Sequence, residues 1–135
     1  MTQFEFKKNI VDQRIEKIKT SLVAKNEEYA NAINVFSAFE RGTEMSLHNT
    51  REAVAWELMV KHLSSIQLIV NNQEKHQKLP DVLTVDEKIG DAINYLILLE
   101  GMLKENVEKA HRAQDPTKYT GTQCYDKLKY NYISR

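Results

Sequence analysis

Residues that interrupt regular backbone are scarce in this chain: two prolines and four glycines among 135 residues. Proline removes a backbone donor and glycine loosens the chain, so both tend to end helices. With so few of either, and with apolar residues recurring at steps of three and four, the chain is constrained to long helices. A chain of this length supports one compact domain, burying roughly two thirds of its unfolded surface. Nineteen basic residues balance nineteen acidic ones. That balance argues against a nucleic-acid partner and against adsorption to an acidic membrane. No run reaches the roughly 18 apolar residues that span a bilayer, and MTQFEFKKNI has no signal-peptide core. The single cysteine, Cys124, excludes an internal disulfide and a cysteine-based zinc site, and fits a cytoplasmic location.

Three helical patterns follow. The first runs from about Phe4 to Tyr29, with Val11, Ile15, Ile18, Leu22 and Tyr29 as its apolar stripe. Lys8, Asp12, Glu16 and Lys19 lie opposite, and the pattern has room to continue through Asn31–Ala38 before Gly42 breaks it. The second runs from about Thr50 to Asn71, with Asn49 and Glu52 placed for a capping box. Its apolar residues, from Val54 and Trp56 to Ile69 and Val70, wrap most of the circumference, as in a helix packed between partners. Asn71–Asp81 reads as a polar connection ended by Leu79-Pro80.

The third pattern runs from Val85 to about Ala110, with Thr84 and Glu87 as its capping box and Asp86 complementing the helix dipole. Ile89, Ala92, Ile93, Leu96, Leu99, Leu103 and Val107 form its core stripe, and Asp115-Pro116 stops it. The expected fold is all-α, an antiparallel bundle of three long helices completed by oligomerisation into a dimer or tetramer. The bundle domain takes residues 1–115. A polar tail, 116–135, carries Tyr119, Tyr125, Tyr130 and Tyr132 and either docks loosely or joins an oligomer contact.

There is no phosphate-binding glycine loop, no nucleophile elbow, and no metal-ligand spacing among His48, His62, His76 and His111. Chemistry is left to polar residues set among the apolar ones. Glu87 and Asp91 are four apart and share one helix face, which Asn94 and Tyr95 extend by a turn. Two such carboxylates can share Mg²⁺; alternatively, Glu87 serves its cap and Asp91 faces solvent. Glu57 interrupts an apolar run and either pairs with Lys61 or belongs to a site. His62, between Met59 and Ile66, reads as an interior histidine. Lys25-Asn26-Glu27-Glu28-Tyr29-Ala30 is either a solvated turn or a neighbour of the third helix's polar face.

Together, Lys25–Ala30, Ala55–His62 and Asp86–Tyr95 resemble the MazG-like all-α nucleoside triphosphate pyrophosphohydrolases, in the short phage and bacterial branch associated with nucleotide modification. The acidic–Ile-Gly-Asp stretch before an aliphatic helix carries most of the likeness, which spans roughly Lys25 to Leu103. The resemblance implies a helical oligomer that cleaves a (deoxy)nucleoside triphosphate to monophosphate and pyrophosphate with Mg²⁺, Mn²⁺ being a substitute. It implies metal at Glu57, Glu87 and Asp91, catalytic roles for Glu57 and Lys61, with Lys61 on phosphate, and nucleotide contacts from Lys25, Asn26, Glu28, Tyr29 and Asn94. The chain departs from the family pattern in two places. Glu57 is followed by Leu58, with Lys61 where a further Glu stands in the family, and Glu87 and Asp91 are four apart rather than three. Fewer carboxylates also fit an alternative, a non-catalytic nucleotide-binding or assembly protein on the same bundle.

Overall fold

The computed structural model describes residues 1–29 and 34–115, apart from the side chains of 23 and 25–29. The described residues are all-α, with no strand among the elements they form. Contacts cluster into two units, Met1–Leu99 and Glu100–Arg135.

The first unit opens with α1, Gln3–Phe6, whose Thr2 and Glu5 close a reciprocal capping box. A π-helical segment, Lys7–Asp12, follows, and then α2, Gln13–Tyr29. Of the apolar stripe expected here, Ile18 and Leu22 are partly covered, whereas Val11 and Ile15 are exposed together with Phe4, Phe6 and Ile10.

The next helix, α3, spans Ser37–Met45 and contains Gly42. This glycine does not break the helix as its type suggests. It lets α3 lie close against α4, because a β-carbon at Gly42 would stand 2.9 Å from Cγ1 of Val54. Arg51 fastens the same junction. Its guanidinium reaches Glu40 at 3.1 Å and Glu52 at 3.0 Å, and lies 4.9 Å from the Phe36 ring centre.

Helix α4 spans Arg51–His76. Its N-cap is Thr50, which accepts from the Ala53 amide at 3.3 Å, so the expected Asn49 cap is displaced by one residue. Its C-terminus extends past the expected end at Asn71, because Asn72 to His76 keep helical backbone until Gln77 turns left-handed at φ 52°. Among the described residues α4 is long and apolar enough to cross a membrane by length and composition. Glu57 and Lys61 are exposed in its N-terminal half, and its His62 faces Asp91 of the next helix.

Helix α5 spans Val82–Gln114 and starts three residues before the expected position. The Asp81 carboxylate accepts from the Thr84 amide at 2.8 Å and its hydroxyl at 2.7 Å. Thr84 therefore lies inside the first turn, and the expected Thr84–Glu87 capping box does not form. Among the described residues of the first unit, Val54, Ala55, Met59 and Ala92 are the buried apolar ones. In the second unit, the described part of α5 buries Met102 and carries i,i+4 ion pairs Glu100–Lys104, Glu105–Lys109 and Glu108–Arg112. The tail 116–135, with its tyrosines and Cys124, lies outside the described residues.

Candidate functional site

Successive turns of α5 present Asp86, Gly90, Asp91 and Asn94 towards α2, which answers with Arg14, Lys17 and Ser21. Between them lies a cleft of about 250 Å³, with Ile18 as its apolar lining and Glu87 at its edge. The spacing explains the alignment: 14, 17 and 21 recur at three and four on α2, as do 87, 91 and 94 on α5.

Asp86 joins the two walls. The Arg14 guanidinium donates to its Oδ1 at 2.8 Å and to its backbone carbonyl at 3.2 Å, while Lys17 donates to Oδ2. The Lys17 hydrogen bond holds the Asp86 carboxyl below its usual range, partly opposed by desolvation. Gly90 makes this possible. A β-carbon there would lie 2.5 Å from Arg14 Nη1, so any other residue makes the end of the Arg14 side chain shift.

Asp91 faces α4, its Oδ2 3.4 Å from His62 Nδ1, and both side chains are largely covered. The His62 ring leans on Tyr95 with centroids 5.1 Å apart, and Phe39 meets the same Tyr95 edge-on at 6.2 Å. Burial, reinforced by Asp91, raises the Tyr95 hydroxyl above its ordinary value. Glu87 is exposed and 2.7 Å from Lys88, whose hydrogen bond lowers the Glu87 carboxyl. Asn94 donates to Ser21 Oγ at 3.0 Å, and its Oδ1 is buried without a hydrogen-bond partner. Such an acceptor is uncommon and costs stability unless a donor or cation reaches it.

The structure thus brings Glu87, Asp91 and Asn94 to one cleft. Glu57 and Lys61 do not line it. Glu57 Oε2 lies 2.9 Å from His48 Nε2 rather than pairing with Lys61, which is exposed on α4. The side chains of Lys25, Asn26, Glu28 and Tyr29, at the end of α2, lie outside the described residues. Among the described residues no group of three or more His, Cys, Asp or Glu side chains converges as a metal site. The donors present on α5 are nevertheless all oxygens, two carboxylates and an orphaned amide oxygen, which is the chemistry a hard divalent cation takes.

Sequence patterning misses Arg14, Lys17 and Ser21, and it assigns Asp86 to the helix dipole alone. The available signal was the recurrence of 14, 17 and 21 on one face, but that spacing looks the same for a solvated face until α5 is set against it. No protein-family profile, curated protein or solved structure matches the chain.

Proposed function

We propose that this chain is a Mg²⁺-dependent pyrophosphohydrolase of nucleoside triphosphates, of the MazG-like kind, working from the cleft between α2 and α5. The observation that supports it is the opposition of Glu87, Asp91 and Asn94 on one wall to Arg14 and Lys17 on the other. A triphosphate needs both kinds of group, oxygens for its metal and cations for its own charge. Glu87, Asp91 and Asn94 would hold Mg²⁺, which when bound offsets charge on the phosphates and polarises them. Arg14 and Lys17 set the position of the polyphosphate. In the reaction a water oxygen bonds to the α-phosphorus and loses a proton to solvent, the bond from that phosphorus to the α–β bridging oxygen breaks, and pyrophosphate leaves with that electron pair. Glu57 and Lys61 have no role in this version of the site.

The same reading completes the helices into an antiparallel bundle with a second copy, as a dimer or tetramer. Trp56, Val60, Leu63 and Val70 fall on one side of α4 at helical spacing and are all exposed, Trp56 at 53% and Val70 at 56%. An apolar row of that length is unusual on a monomer.

The test is pyrophosphate release from a panel of NTPs and dNTPs with Mg²⁺ or Mn²⁺. Turnover by the wild type and its loss in Asp91→Ala are expected. No turnover with any substrate, from protein shown to be folded, overturns the hydrolase reading. A non-catalytic nucleotide-binding protein is then favoured, supported by the engagement of Glu57 with His48 away from the cleft. Thermal stabilisation by nucleotide and Mg²⁺ without hydrolysis identifies it, since a ligand of the folded state raises stability.

A further inference from the structure

We infer that Asp86 is an internal stand-in for a phosphate group, seated on the cation pair Arg14 and Lys17, and that an anionic ligand must displace it to bind. The inference rests on the reading of the α2–α5 cleft as a polyphosphate site and adds how access to it is controlled.

Two cations share one carboxylate here, each taking one of its oxygens. A phosphoryl group offers the same pair of oxygens with more charge, so it competes for the same donors on better terms. The Arg14 side chain is the more covered of the two at 18% exposed, whereas the Asp86 side chain is 33% exposed and sits where an incoming anion reaches it. The bridge borders open cleft of about 250 Å³. Gly90 leaves room for the guanidinium against the α5 backbone, since a β-carbon at that position would push Nη1 aside. Glu87 and Asp91 border the same space and repel a bare anion. The bridge to Asp86 therefore does more than tie α2 to α5: it holds the positive seat filled until a ligand with enough charge arrives.

The test titrates inorganic pyrophosphate into the full chain by calorimetry, with and without Mg²⁺, comparing wild type with Asp86→Asn and Asp86→Ser. Removing the resident anion is expected to tighten pyrophosphate binding by about tenfold or more in at least one series, because both cations become available. Adding Arg14→Gln and Lys17→Gln to Asp86→Asn is expected to abolish the gain. If both Asp86 variants are folded by circular dichroism and bind no tighter than wild type in either series, the stand-in role is overturned and Asp86 is a structural tie. A variant that loses its fold is replaced in the comparison by the other, and unfolding of both likewise establishes the structural tie. The two readings fail separately. Absence of triphosphate turnover together with the Asp86→Asn gain removes the hydrolase and keeps the gate, while turnover without the gain removes only the gate.

Discussion

Two glycines show how much a single residue's surroundings decide. At Gly42 an added methyl meets Val54 on a neighbouring helix, at a separation real β-carbons essentially never show. At Gly90 it meets the far end of the Arg14 side chain, which can swing away. Gly42→Ala is therefore expected to destabilise by about 1–3 kcal/mol through overpacking, less the helix-propensity gain of alanine. In a Val54→Ala background the same change is expected to cost less, a coupling that urea denaturation of the four-member cycle reads directly. Gly90→Ala is expected to cost less than Gly42→Ala in the same urea denaturation, because the better helix former offsets the weakening of the Arg14–Asp86 bridge. As sequence, Gly42 reads as the break after the first pattern and Gly90 as a glycine within the third, yet both lie inside helices. Only the neighbour across the gap separates them.

The long helices were legible from periodicity and their termini less so, while in sequence α3 reads only as a continuation of the first pattern, ended by Gly42. The second and third patterns correspond to α4 and α5, but α4 runs on to His76 and α5 starts at Val82. Asn49 and Thr50 are both good caps, and so are Asp81 and Thr84. Local chemistry ranks them nearly equal, and in the structure Thr50 and Asp81 take the role, each accepting from the amide three residues on. Thr50→Ala is expected to cost about 1 kcal/mol in chemical denaturation, whereas Asn49→Ala stays within about 0.5 kcal/mol of wild type. Asp81 adds a pH dependence. Hydrogen bonds from the Thr84 hydroxyl and then its amide hold the Asp81 carboxyl below its usual range. A group whose folded value is depressed stabilises fully above its unfolded value, about 3.9, and loses that contribution as pH falls through the folded value. The midpoint of thermal unfolding is therefore expected to drop below about pH 4, with a shallower acid limb in Asp81→Asn.

At the scale of the whole molecule, the described core is small for the apolar surface the helices carry. Met59 is buried at 1% exposure, while Leu63, one turn further on, is 40% exposed. Met59→Ala is expected to cost about 2–5 kcal/mol by leaving a cavity, measured by denaturation. Leu63→Glu, by contrast, is expected to leave each subunit folded and shift light scattering from an oligomer to the monomer mass. A wild type that scatters as a monomer would remove the second copy from the proposal.

The sequence alone determined an all-α fold, the course of the two long helices α4 and α5 to within a few residues, and that Glu87, Asp91 and Asn94 share a face, because these follow from local periodicity within one helix. Tertiary structure alone decided what stands opposite that face. Arg14 and Lys17 are 72 and 69 residues from Asp86, and no local pattern couples positions so far apart. It likewise decided that Glu57 turns to His48 instead of the cleft, since a carboxylate on a half-exposed helix takes whichever cationic or donor group packing brings to it.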